Sequence, residues 1–195
     1  EKIVGRVQNG QLRPFYDRAA IAAGALENQR PLLWLKNPID KFFLQIQGSG
    51  RVVLPGGGTV FLGYAGTNGH PYTAIGRYMV QEGYLELAEV SMQTIRAWLK
   101  NNPQKITEVL HQNQSYIFFK RYQDGPYGTQ GVLLTSERSL AVDRTITPMG
   151  TPVFVSTQRT ATGQPFGKYM VAQDTGGAIK GALRGDIYFG HGKKA

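Results

Sequence analysis

The sequence predicts a mainly β fold with some α, its helices confined to the first two-thirds of the chain. Three observations lead there. The 195 residues include 25 Gly and 10 Pro, about 18% against a usual ~12%, and that excess implies many turns. Helical spacing of apolar residues occurs only between Arg18 and Leu110. After Gly128 the chain breaks into short strand-like runs punctuated by Gly and Pro, the pattern of a barrel or sandwich.

The elements follow in order. Asp17 can cap a short helix over Arg18 to Leu26, where alanines favour the helix. Residues 41–47, Lys-Phe-Phe-Leu-Gln-Ile-Gln, alternate and end at Gly48-Ser49-Gly50, which reads as a strand and a tight turn. Arg51–Leu54 and Thr59–Tyr64 read as two strands, joined by Pro55-Gly56-Gly57-Gly58. Thr73–Gln81 reads as a helix that Gly83 ends. Ser91–Leu99 places Met92, Ile95 and Leu99 at helical spacing with Trp98 alongside, as a core face. Asn102-Pro103 opens a third helix through Leu110. Ser115–Arg121 returns to strand, and Gln123–Gly128 carries the strongest breaker of the chain, Asp-Gly-Pro. Strands are then expected near Glu137–Val142, Pro152–Thr157, Lys168–Ala172, Ala178–Gly181 and Asp186–Phe189. There is no internal repeat.

Composition narrows the chemistry. With no cysteine, disulfides, thiolate metal sites and a cysteine nucleophile are excluded. No apolar run approaches the ~20 residues that a membrane-spanning helix needs. The chain opens at Glu1 without a signal-like stretch, as a mature chain, a trimmed one or a cytosolic protein would. A net charge of +9 attracts polyanions: nucleic acid, an anionic membrane or an acidic polysaccharide. Basic residues are scattered and do not interleave with aromatics, so no nucleic-acid partner is expected. His70, His111 and His191 lie far apart, and no metal site is expected. His111 falls late in a helix, where the helix dipole accounts for it.

Three aspartates in the last third stand beside small or polar residues: Asp143, Asp174 and Asp186. Singly, each reads as a strand-end carboxylate accepting backbone hydrogen bonds in a turn. Together they are more specific. Asp174-Thr175-Gly176 matches the triplet of aspartic proteases, but that chemistry needs two such loops, which only a homodimer of this chain would supply. Gln47-Gly48-Ser49-Gly50 lacks the rest of a phosphate-binding loop and reads as a turn or a ligand contact.

Several long strings resemble the membrane-bound lytic murein transglycosylase A family. They are residues 42–50 (FFLQIQGSG), 63–77 (GYAGTNGHPYTAIGR), 91–98 (SMQTIRAW), 116–120 (YIFFK), 172–181 (AQDTGGAIKG) and 185–188 (GDIY). The resemblance implies two domains with a groove between them: a family-specific insert of strands and helices over residues 1–121, and a three-aspartate domain over 125–195 forming the C-terminal part of a double-psi β-barrel. In the family the barrel also uses a segment before the insert, so the chain is expected to be part of a longer protein or a shortened member.

The resemblance also implies the chemistry. The substrate is the glycan strand of peptidoglycan, cut at the β-1,4 bond from N-acetylmuramic acid to N-acetylglucosamine with a 1,6-anhydro product. Asp186 falls on the family's catalytic acid, with Asp174 and Asp143 in support. Ordinary glycosidases use two carboxylates. A lytic transglycosylase replaces water with the C6 hydroxyl of its own sugar, so one carboxyl can act as acid and then as base. An acid in that role needs a raised pKa, which a partly apolar strand end and a neighbouring carboxylate would supply. Within the matched strings, Gln47, Gly48, Ser49, Gly50, Tyr64, Asn68, Gly177 and Lys180 are the candidate substrate-binding residues by type. No cofactor is required. The implied location is the periplasm and cell envelope, with membrane attachment only through a lipid anchor that this chain lacks. Other cell-wall enzymes are further candidate partners. The competing reading is a non-catalytic fragment that binds peptidoglycan or another polysaccharide.

Overall fold

A computed structural model describes residues 4–159 and 162–190. The chain divides into two compact units, Glu1–Arg121 and Tyr122–Ala195.

The first unit opens with a two-stranded hairpin, β1 (Arg6–Gln8) and β2 (Gln11–Arg13). Asn9 and Gly10 form its turn with φ of 52° and 74°, the left-handed pair that matches strand twist. Helix α1 (Arg18–Ala22) is capped by Asp17, which accepts from the Ala20 N–H at 2.7 Å. It is shorter than expected.

Residues 41–47 are helical, which corrects the strand expectation. Helix α2 (Pro38–Gln47) starts at Asn37, whose Oδ1 accepts from the Ile39 N–H at 2.8 Å, and has Pro38 in its first turn. Ile39, Phe42 and Phe43 are buried at i, i+3, i+4 spacing. Gly48 ends the helix in the left-handed conformation, φ 74°. A three-stranded sheet follows, in the order β3-β4-β5: β3 (Ser49–Val53), β4 (Thr59–Thr67) and β5 (Ile117–Tyr122). The β3–β4 hairpin runs from Ser49↔Gly63 to Val53↔Thr59, with the expected turn at 54–58.

Three more helices complete the unit: α3 (Ile75–Gln81), α4 (Met92–Asn101) and α5 (Ile106–His111). Ser91 caps α4 in a reciprocal box with Thr94. A 3-10 turn at Pro103–Lys105 leads into α5. The core is Ile39, Phe42, Phe43, Ile75, Met79, Ile95, Leu99, Val109 and Leu110. Trp98 is half-buried and stacks on Tyr84 at 4.6 Å. Met92, expected in the core, is 42% exposed at the first turn of α4.

The second unit is built on a four-stranded mixed sheet in the order β7-β8-β6-β9. The strands are β6 (Ser139–Val142), β7 (Pro152–Gln158), β8 (Pro165–Asp174) and β9 (Gly185–Ile187). β6 and β8 run parallel; β7 and β9 are antiparallel to their neighbours. Leu140, Val142, Phe166, Met170 and Ala172 form the core. Residues 178–181, expected as a strand, are a turn instead. Ile179 N–H donates to the Gly176 carbonyl, and Gly181 has φ 99°.

Candidate functional site

The sheet register gathers the three aspartates at one end of the second unit. Ala141 on β6 pairs with Asp174 on one side and Asp186 on the other. Asp174 and Asp186 therefore share a row across three strands, about 10 Å apart at two strand spacings. Asp143 follows directly after the end of β6.

Their environments differ. Asp143 is buried at 6% exposure. Its Oδ1 accepts from Thr145 N–H at 3.1 Å and Thr145 Oγ1 at 2.7 Å, and its Oδ2 accepts from Gly181 N–H at 3.0 Å. The Gly181 and Thr145 donors, with Lys180 Nζ at 4.0 Å, hold the carboxyl down at about 2. Asp143 thus ties the turn after β6 to the loop that precedes β9. Asp174 accepts from Thr129 N–H at 2.9 Å and Thr129 Oγ1 at 3.0 Å. The same Thr129 hydroxyl lies 2.8 Å from Thr175 Oγ1.

Asp186 differs from both. Its carboxylate accepts from Arg184 Nε at 2.7 Å and Nη2 at 3.3 Å, and the side chain is 48% exposed. It bonds no backbone N–H among the described residues. The sequence suggested an acid sheltered by apolar neighbours. The structure instead places it open to solvent and paired with a guanidinium, which the carboxylate holds above its ordinary pKa. Arg184 escaped the sequence reading, although two-residue spacing along an extended chain points both side chains the same way.

A second set of bonds braces the opposite end of the sheet, at the start of β6. Glu137 adopts φ 56°, in the left-handed region, and its N–H donates to the Tyr188 carbonyl at 2.7 Å. Its carboxylate meets Lys168 and, at 2.7 Å, Arg159, and is held down at about 2 chiefly by Lys168. Ser139, fully buried, donates to Gln173 Oε1 at 2.6 Å and accepts from Thr135 N–H at 2.8 Å.

In the second unit, Gly177 is exposed with open space where a Cβ would stand, and Lys180 is exposed beside Asp143. In the first unit, Gln47, Gly48, Ser49 and Gly50 come together at the α2–β3 junction. Gln47, Ser49 and Gly50 line a groove of about 500 Å³ on that unit. Gly48 serves as the helix cap. A Cβ at Gly50 would stand 2.3 Å from Leu44 Cδ1, so any larger residue there displaces the Leu44 side chain. Tyr64 is half exposed on β4.

Asn68 is a correction. It is 1% exposed and offers no face to a sugar. Its Nδ2 donates to the Tyr16 carbonyl at 3.0 Å and the Gln114 carbonyl at 2.9 Å, while its Oδ1 accepts from Tyr116 N–H at 2.8 Å and His70 N–H at 3.4 Å. It belongs to a buried polar cluster with Arg18, Gln45, Asn113 and Ser115. Arg18 donates to the Asn113 carbonyl at 2.8 Å, to Gln45 Oε1 and to the Ser115 carbonyl, and burial pulls it down to about 10. Of the histidines, His70 lies 2.7 Å from the Phe15 carbonyl through Nε2, and His191 lies outside the described residues. Among the described residues no group of three or more His, Asp or Glu could hold a metal ion. No described helix is long and apolar enough to cross a membrane.

Comparison with known proteins finds relatives that cover both units. A family described as "MltA specific insert domain" matches residues 1–120, and one described as "3D domain" matches residues 138–195. Membrane-bound lytic murein transglycosylase A of Escherichia coli K12 is 38% identical over 186 residues, 91% of this chain and 51% of its own length. The Vibrio cholerae protein of the same name is 35% identical over 187 residues, 91% of this chain and 50% of its own. The chain thus spans about half the length of these curated relatives. A crystal structure of MltA from Neisseria gonorrhoeae superimposes with a TM-score of 0.87 at 45% identity, covering 95% of this chain and 49% of that one. Escherichia coli MltA with bound chitohexaose gives a TM-score of 0.81 at 34% identity, covering 95% of this chain and 60% of that one. The family match over more than half of the residues, with both units represented, places the chain in the MltA family of lytic murein transglycosylases.

Proposed function

We propose that the protein containing this chain is a peptidoglycan lytic transglycosylase of the cell envelope, and that Asp186 is its single acid and base. The observation that carries the residue assignment is the contrast among the aspartates. Asp143 through both oxygens, and Asp174 through Oδ1, accept from loop N–H and hydroxyl donors, while Asp186 holds only a side-chain partner at an exposed strand.

The chemistry follows from that one free carboxyl. A glycan strand displaces Arg184 from Asp186, and the protonated carboxyl donates to the glycosidic O4 of the N-acetylglucosamine that leaves. The C1–O4 bond of N-acetylmuramic acid breaks. Its own C6 hydroxyl oxygen then bonds to C1, and the Asp186 carboxylate takes the hydroxyl proton. No water is consumed and the acid is regenerated. The tethered hydroxyl has a high effective concentration, so no second carboxylate is needed to activate water. Once the first proton has left, Arg184, which pairs with Asp186 in the ligand-free chain, returns to the carboxylate and stabilises it until the second transfer.

On this reading residues 1–121 are the insert domain, with Gln47, Ser49 and Tyr64 toward the peptidoglycan strand. Residues 125–195 are the three-aspartate domain, a C-terminal part of a double-psi barrel. The periplasmic face of an outer membrane, reached through a lipid anchor, is the proposed location.

The test is digestion of purified sacculi by this chain and by Asp186→Asn, with products weighed. Fragments one water lighter than hydrolytic ones, lost in the variant, are expected. Hydrated fragments would refute the transglycosylase reading. Because the chain spans half the length of its curated relatives, a second reading has a specific basis. Saturable binding to sacculi with no product would favour a wall-binding fragment.

A further inference from the structure

We propose that the groove along β3 holds the peptide stems of peptidoglycan, through their carboxylates and small aliphatic side chains. The inference rests on the function proposed above and concerns a different part of the same polymer.

The groove touches every residue of β3, from Ser49 to Val53. Successive side chains of a strand point to opposite faces, so a groove that meets all five runs along the strand's edge. β3 is the outer strand of its sheet, and no described strand pairs with its free side. That edge presents backbone N–H and C=O groups to whatever lies in the groove, as in strand-edge peptide recognition. The opposite wall comes from α2 and α4. Phe43, Leu44 and Met92 supply apolar surface there, and Val52 completes it from β3.

The charges specify an acidic ligand. Arg96 is fixed by an ion pair with Asp40 and lies over the Phe43 ring, 5.1 Å from its centroid. Asp40 is the only acid in the groove, and Arg96 neutralises it. Arg51 is exposed and has no hydrogen bond or ion pair among the described residues. The groove therefore carries one uncompensated positive charge above an apolar floor. Glycan sugars whose lactyl groups are joined to peptides are neutral, so in this polymer the peptide is the source of carboxylates. A second copy of the chain pairing along β3 is the alternative occupant. A two-fold contact there brings like residues together, and Arg51 would approach its own counterpart.

The experiment titrates the full chain with a fluorescently labelled free stem pentapeptide, its fully amidated analogue, and peptide-free glycan strands. Variants are Arg51→Gln, Arg51→Glu and Arg51→Lys, each matched to the parent by circular dichroism. The expected result is binding of the carboxylate peptide that Arg51→Gln weakens about five-fold and Arg51→Glu by more than ten-fold. Arg51→Lys should restore most of it, and rising salt should weaken it. Equal binding of the amidated peptide, or indifference to Arg51→Glu, would overturn the proposal. Binding of glycan strands without binding of the peptide would overturn it while leaving the proposed function standing. Failure to bind peptide, glycan strands and sacculi alike would remove both. A dimer in sedimentation that the neutral Arg51→Gln strengthens and Arg51→Glu does not would assign the edge to a second copy and overturn the peptide.

Discussion

Replacing Asn68 by Ala distinguishes a structural residue from a ligand-binding one. The side chain is fully buried and makes three well-formed hydrogen bonds of 2.8 to 3.0 Å, to Tyr16, Gln114 and Tyr116. These tie the segment before α1 to the start of β5 and the end of β4. Each such bond is worth about 1 kcal/mol net. The expected loss is about 3 kcal/mol of unfolding free energy, a fall of ~1.5 M in the urea midpoint at an ordinary slope. Intrinsic fluorescence is a suitable probe, since Trp98 packs against the first unit's core. Asn68→Asp should cost at least as much, because its carboxylate would face two carbonyl oxygens that now receive N–H donors. A midpoint within 0.3 M of the parent's, accompanied by loss of glycan binding, would refute this reasoning and return Asn68 to the substrate.

Three further outcomes follow from the second unit. Glu137, usually near 4.5, and Asp143, usually near 3.8, are both held at about 2 in the folded chain. A depressed folded pKa stabilises the fold above the ordinary value and ceases to as pH falls through the folded one. Protection factors of amides across 137–190, taken against the intrinsic exchange rate at each pH, should therefore fall between pH 4.5 and 2, and less so in Glu137→Gln. Gly128→Ala would put a Cβ 2.3 Å from the Gln173 carbonyl oxygen. Backbone cannot yield there, so Thr129 should shift off Asp174 at a cost of about 1–3 kcal/mol, read from thermal melting. Asp186→Asn should leave the melting temperature within about 2 °C of the parent, since an exposed pair contributes little, whereas Asp143→Asn should lower it visibly by removing the clamp on Thr145 and Gly181.

The sequence discloses local structure where a cap, a period and a breaker agree. Helix α4 shows this, with Ser91 at its start and Ile95 and Leu99 on its buried face. Helix α2 was misread because its start signal, Asn37-Pro38, lies outside the alternating window 41–47, and Ile39, Phe42 and Phe43 make sense only with that signal included. Residues 178–181 read as apolar enough for a strand, but Gly181 at φ 99° and the Gly176–Ile179 bond close them into a turn. The three aspartates were visible as types, and the resemblance singled out Asp186. Their separate environments were not visible, because they depend on partners such as Thr129, 45 residues from Asp174, and Gly181, 38 residues from Asp143. Burial of Asn68 was hidden for the same reason. A turn-rich string shows that a polar residue is needed and not which backbone it will satisfy.

The arrangement of the aspartates also bears on the proposal that a single acid serves twice. A carboxyl that serves twice must stay close to both oxygens through the reaction, so its strand must not drift between the two proton transfers. β9 has only three residues and pairs with β6 alone, which is a weak anchorage. Additional restraints act on both flanks. Asp143 holds the Gly181 N–H upstream of it, and Glu137 N–H and Ser136 Oγ hold the Tyr188 and Phe189 carbonyls downstream, the latter at 2.7 Å. Asp174 secures Thr129 against the end of β8, in the same row as Asp186. Asp143 is engaged through both carboxylate oxygens and Asp174 through Oδ1, each by a loop N–H and a threonine hydroxyl or a second loop N–H. Asp186 alone keeps a partner it can exchange, because Arg184 sits on the adjoining loop in open solvent. Rigidity on both sides and freedom at the centre are what two successive proton transfers through one carboxyl require.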